Sequence, residues 1–113
     1  MPITSDVIRG HTEAIILACL MQGDNYGYEI NKSIHQQTGG KYELKEATLY
    51  SAFRRLEQSG SIISYWGDEN TGARRRYYSI TDVGRAMHKT LISEWQDTKI
   101  IIEKLILNKE KNL

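Results

Sequence analysis

The segment from Glu46 to Ile80 constrains this chain more than any other. It opens with EATLYSAFRRLEQSG, where Leu49, Ala52, Phe53 and Leu56 recur at three- and four-residue steps. That period predicts an amphipathic helix over about Lys45 to Ser59, closed by Gly60. It runs straight into SIISYWGDENTGARRRYYSI, in which Ile62 to Trp66 and Arg76 to Ile80 are rich in β-branched and aromatic residues. Between them, Gly67 to Gly72 is polar and turn-forming, so the pair predicts an antiparallel hairpin. Neither piece is stable alone, because a lone hairpin is marginal in water and a half-apolar helix needs a cover. Both must share a core with helices elsewhere in the chain.

Those helices are legible on either side. Thr4 to Gln22 reads as a first helix, with Val7, Ile8, Ala14, Ile15 and Ala18 on one stripe. Ile16, Leu17, Leu20 and Met21 widen that stripe to most of the circumference, as in a helix buried on two sides. Gly23-Asp24-Asn25 reads as a stop followed by a cap. A second, amphipathic helix over Tyr26 to Gln37 carries Tyr28, Ile30 and Ile34, and Tyr42 to Leu44 reads as a brief extended piece. Thr81 suits the N-cap of a long last helix reaching Leu107. Its stripe is Val83, Met87, Leu91, Trp95, Ile102 and Leu105, and the polar end NKEKNL frays.

This order of elements spells a mainly α fold with a small β-wing: a winged helix-turn-helix over residues 1–80 and a C-terminal dimerisation helix over 81–113, in one compact unit. A chain of 113 residues supports a single core of modest size. The longest apolar run, AIILACLM, has eight residues and is too short to span a bilayer. The N-terminus lacks a basic-then-apolar signal pattern. Cys19 has no second cysteine to pair with. The expectation is a soluble, cytoplasmic protein away from membranes.

The chemistry lies on the surface of the third helix and the hairpin. Ala47, Thr48, Ser51, Arg54 and Arg55 face outward in the helical period. Small hydroxyls near a helix start fit a DNA groove, and arginines reach phosphates or guanine edges. A solvated helix face would look the same, and Glu46 and Glu57 dilute its charge. The wing favours the nucleic-acid reading, because Arg74, Arg75 and Arg76 follow Gly72 at the hairpin tip, suited to phosphate or minor-groove contact. Strand alternation sends one of these neighbours toward the helix layer and the others outward. Net charge is only +1, so DNA affinity must come from charge placed locally. The same near-neutrality fits the alternative of a winged-helix interaction module without sequence-specific DNA binding.

The last helix leaves a choice as well. Its tail KIIIEKLIL is apolar around most of its surface, which suits a second copy across a two-fold axis or the first helix of the same chain. Trp95 serves either as core filler or, facing its own copy, as the wall of a flat apolar slot for an aromatic ligand. His11, His35 and His88 sit on separate elements without ligand spacing, and no phosphate-binding loop or nucleophile–base set is visible. The expectation is therefore a non-enzyme without metal or cofactor.

Taken in order, GDNYGYEI, EATLYSAFRRLEQSGSI, YWGDENTGARRRYYSIT and the late Trp95 resemble the PadR family of transcriptional regulators. The likeness covers nearly the whole chain and is to the small subfamily with one C-terminal helix, which includes a multidrug-binding repressor. It implies a homodimeric repressor on double-stranded DNA with a pseudo-palindromic, inverted-repeat operator. DNA contact would fall to Tyr26, Thr48, Tyr50, Ser51, Arg54, Gly72, Arg74 and Arg75. A planar aromatic ligand would release the DNA from a slot at the dimer centre, bounded by Val7, Gly10, Ala14, Ile92, Trp95 and Lys99. Lys45 departs from the pattern where an Asn would cap the recognition helix, Ile92 replaces an aromatic residue, and Lys99 stands where an acid is expected.

Overall fold

The computed structural model describes residues 8–67 and 74–108. A 3-10 turn at Arg9–His11 enters helix α1 (Thr12–Met21), followed by a short strand β1 (Asn25–Tyr26) and helix α2 (Gly27–Gln37). Helix α3 (Glu46–Gln58) then precedes β2 (Ile62–Trp66), β3 (Arg76–Ile80) and the 26-residue helix α4 (Asp82–Leu107). The architecture is the expected one: mainly helical, with a small antiparallel wing and a long last helix. None of the described helices is long and apolar enough to cross a membrane.

The core explains the helical periods. Leu49, Ala52, Phe53 and Leu56 of α3 are all buried, as their spacing requires. They meet Ile16, Leu17 and Leu20 of α1, Ile30 and Ile34 of α2, and Ile62, Tyr78 and Ile80 of the sheet. Phe53 and Tyr78 lie nearly parallel with centroids 3.9 Å apart, which locks α3 onto β3. Leu44 is buried too, although the Tyr42–Leu44 piece forms no strand.

Helix α3 has no side-chain hydrogen bond from its N-cap residue, Lys45. Its entry is fixed from α2 instead. The Asn31 amide donates to the Leu44 carbonyl at 2.6 Å, and its Oδ1 accepts from the Leu44 N–H at 2.7 Å. This two-point clip fixes the chain immediately before the helix.

Three expectations are corrected. Asp24 and Asn25 do not cap α2; Asn25 and Tyr26 pair with Tyr78 and Tyr77, so the sheet has three strands in the order β1-β3-β2. Tyr28 does not share the buried stripe of Ile30 and Ile34, because a two-residue step turns it away, and it is 69% exposed. The core-facing stripe of α1 is Thr12, Ile16, Leu17 and Leu20, whereas Ala14 and Ile15 are half-buried and Ala18 is exposed.

Thr81 caps α4 as expected, its Oγ1 accepting from Gly84 N at 3.1 Å and donating to the Gly60 carbonyl at 2.6 Å. Helix α4 packs against α1 and β3. Only its first turns are covered: Met87 and Leu91 pack on the core, while Val83 is exposed. From Ile92 onward every described residue of α4 is exposed, including Trp95, Ile102 and Leu105.

Candidate nucleic-acid interface

Helix α3 presents Ala47, Ser51 and Arg54 on one line of its outer face, with Thr48 to one side and Tyr50 to the other. Thr48, Tyr50 and Arg54 are exposed. Ser51 is half-buried because Arg55 folds over it, donating from Nη1 to Ser51 Oγ at 3.0 Å and from Nε to Glu13 Oε1 at 2.8 Å. The outward Arg55 is thus tied to α1 by an ion pair, and Arg54 carries the open positive charge of this face.

Tyr50 links α3 to the start of α2. Its ring meets Phe53 edge-on at 5.5 Å, and its hydroxyl lies so close to Gly27 that a Cβ there would stand 2.7 Å from it. Tyr26, the next residue back, is the N-cap of α2 and belongs to β1. Its ring supports the wing, with the Arg75 guanidinium 4.9 Å above it. Contacts therefore run in a chain from Tyr50 of α3, packed over the buried Gly27 at the α2 start, to Tyr26 and the Arg75 guanidinium above its ring.

The wing arginines do not divide as one inward and two outward: Arg74 and Arg76 share the Trp66 side of the sheet, and Arg75 lies on the other. Arg76 shares the helix-facing side of β3 with Tyr78 and Ile80; it donates to Ser64 Oγ at 2.8 Å and lies 3.7 Å from Glu57 Oε2. Its charge is balanced against α3. Arg74 stacks on the Trp66 indole at 5.0 Å, and Arg75 lies on the opposite face with Tyr26. On that outer face the Tyr65 hydroxyl donates to Asp24 Oδ2 at 2.6 Å, which holds its pKa up at about 12. Burial against Phe53 pushes the Tyr78 phenol up as well. Gly72 lies outside the described residues.

An open cleft of about 680 Å³ flanks the start of α3, lined by Tyr28, Lys32, His35 and Lys45 among others. Tyr28 and Lys32 sit four residues apart on the exposed side of α2. That one-turn spacing is the sequence signal that sets Tyr28 on the outer face with Lys32 rather than with Ile30 and Ile34.

Of the residues expected to form an aromatic slot, Trp95 of α4 meets the 3-10 turn that enters α1. Trp95 is 46% exposed and meets the His11 ring edge-on at 4.9 Å. Gly10 and Ala14 flank His11 on the first-helix side, and Ile92 and Lys99 lie three and four residues from Trp95 along α4. His11 is the member of this group that the sequence did not single out. Val7 lies outside the described residues.

Comparison with known proteins places the chain beside transcriptional regulators. Residues 16–90 match the family model described as the transcriptional regulator PadR-like family. An uncharacterised protein of Lysinibacillus sphaericus is 45% identical over 101 residues, covering 89% of this chain and 93% of that protein. A transcriptional regulator structure from Clostridium thermocellum is 52% identical, with a TM-score of 0.83, covering 90% of this chain and 96% of that one. A PadR family transcription regulator from Clostridium difficile R20291 is 32% identical, with a TM-score of 0.75 and coverage of 85% and 98%.

Proposed function

The chain belongs to the PadR-like family of transcriptional regulators, and on that premise we propose that it is a homodimeric repressor reading an inverted-repeat operator. Regulation rather than catalysis is the family's activity. The observation that carries the proposal is the run of contacts from Tyr50, over the buried Gly27, to Tyr26 and Arg75, which ties the wing cation to the α2–α3 unit whose outer face holds Thr48 and Arg54. Thr48, Tyr50 and Arg54 would enter the major groove while Arg74 and Arg75 take flanking phosphates. Ser51, covered by Arg55, would reach DNA only after that contact opens.

The exposed apolar length of α4, including Ile92, Trp95, Ile102, Leu105 and Ile106, supports a second copy of the chain as its cover. Two chains related by a two-fold axis would match the symmetry of an inverted repeat. The finer likeness, to a multidrug-binding repressor, is part of the same proposal. Trp95, held by His11 and still half open, would stack a planar aromatic ligand across the dimer with Gly10, Ala14, Ile92 and Lys99 at the rim. Ligand would release DNA by favouring a dimer whose recognition helices miss the operator spacing.

Phosphate contact makes affinity fall with salt, by close to one unit of log–log slope for each contact. Replacing Arg74 and Arg75 together with Ala is expected to weaken operator binding and flatten the salt slope by about two. An unchanged slope would refute the wing assignment. The alternative of an interaction module without DNA reading is favoured by the net charge of +1 and by the neutralised Arg76. Retention on heparin at low salt, lost in the double variant, separates the two.

A further inference from the structure

One cross-strand row on the outer face of the sheet consists of tyrosines alone. Tyr26, Tyr77 and Tyr65 are register partners on β1, β3 and β2. Their rings touch in sequence: Tyr65 stacks on Tyr77 at 5.7 Å and 13°, and Tyr77 meets Tyr26 edge-on at 5.4 Å. The row ends at Asp24, which accepts the Tyr65 hydroxyl, and at the Arg75 guanidinium, seated over Tyr26. Gly67 leaves room for it, since a Cβ there would stand 2.5 Å from the Tyr77 ring. The Gly67 N–H also donates to the Arg75 carbonyl at 2.7 Å. Arg75 is therefore fixed at its backbone by the wing base and at its head by an aromatic ring.

We infer that Asp24, Tyr65 and Tyr77 are positioning residues for Arg75, an aromatic ladder that holds the wing cation at its DNA-contacting place before DNA arrives. An exposed arginine samples many rotamers and loses that freedom when it grips a phosphate. A guanidinium already stacked on a ring gives up less. Arg76 needs no such support, because Glu57 and Ser64 hold it. The inference rests on the proposed role of Arg75 at DNA, and it assigns residues that would not touch DNA themselves.

The test is a double-mutant cycle on affinity for a fluorescent duplex of mixed sequence at low salt, since phosphate contacts are independent of base sequence. Tyr77→Leu, which takes away the edge-on support of the Tyr26 ring under Arg75, is expected to weaken binding by up to about two- to fivefold, the scale of the Arg75–Tyr26 cation–π contact it props. Tyr77→Phe, which keeps the ring, is expected to bind like the parent. In an Arg75→Ala background Tyr77→Leu should then cost nothing further. An equal loss with and without Arg75, or no loss at all, would overturn the ladder. If Arg75→Ala alone leaves affinity and salt slope unchanged, the wing reading fails and the ladder falls with it. Should Tyr77→Leu not fold, Tyr65→Leu at the exposed edge strand replaces it in the same cycle, with the same losses expected and the same results overturning the ladder. The Arg75 Nε–H resonance gives a DNA-free reading. It should sit at a ring-shifted position in the parent and move in Tyr65→Leu; an unmoved resonance contradicts the ladder.

Discussion

Gly84→Ala probes how the long helix is registered against the wing. Gly84 is the one buried residue among those described in α4 and lies in its first turn. A methyl at this position would fall on the Ser61 carbonyl oxygen, 2.7 Å from Ile80 Cγ1 and 3.1 Å from the Ser61 carbonyl carbon. Most of what it meets is backbone that cannot turn aside, because the same Ser61 oxygen accepts the Thr81 N–H at 3.0 Å. Forcing a methyl into packed structure costs roughly 1–3 kcal/mol, and the backbone clash places this case toward the upper end. Alanine returns about 1 kcal/mol of helix propensity over glycine. The net loss is therefore about 1–2 kcal/mol, a fall in Tm of roughly 5–10 °C for a chain of this size. Melting followed by circular dichroism at one fixed protein concentration measures it, with Gly10→Ala, where nothing lies within 4 Å, as the neutral control. A Gly84→Ala protein melting at or above the parent would refute this packing.

Other outcomes follow from the same geometry. Gly27→Ala presses on the movable end of Tyr50 and meets Leu49 Cδ2 at an ordinary 3.4 Å, so its Tm should change by a few degrees at most while duplex affinity falls as the Tyr50 hydroxyl is displaced; intact affinity would remove Tyr50 from the interface. Asn31→Ala strips both bonds from the Leu44 backbone and should cost about 1–3 kcal/mol in denaturant unfolding, and a smaller loss would show the clip to be dispensable. Tyr65 is held protonated up to about 12 against an ordinary 10.0, so the stability from its bond to Asp24 is complete below pH 10 and lost as pH rises through 12. Ultraviolet titration should show late-titrating tyrosines, and Tyr65→Phe should remove one tyrosine's share of that late amplitude; an unchanged late amplitude would contradict it.

How much of this is legible in the sequence depends on how local the information is. The recognition helix and its buried Leu49, Ala52, Phe53 and Leu56 follow from a three- and four-residue period within the helix itself. The hairpin strands and the Thr81 cap are also written in short spans. Strand β1 is not legible, because two residues that look like a cap become a strand only by pairing with β3 far along the chain. The direction of α1 is hidden for another reason: a helix apolar nearly all round has no preferred buried face until its neighbours are placed. At the site, Arg54 and Arg75 are visible as types and positions. The Arg55–Glu13 pair, which half-covers Ser51, and the Arg76–Glu57 contact, which neutralises one wing cation, join separate elements and leave no local signature. The tyrosine row is equally silent, since register rather than composition brings Tyr26, Tyr77 and Tyr65 side by side.

The most direct test of a two-fold, sequence-reading regulator is selection of binding sites from random duplex DNA with the purified chain. An inverted repeat with half-sites about one helical turn apart should be enriched, as two copies of α3 and its wing would demand. A folded, dimeric protein that enriches no sequence would contradict DNA reading and leave α3 and the wing as a surface for a protein partner.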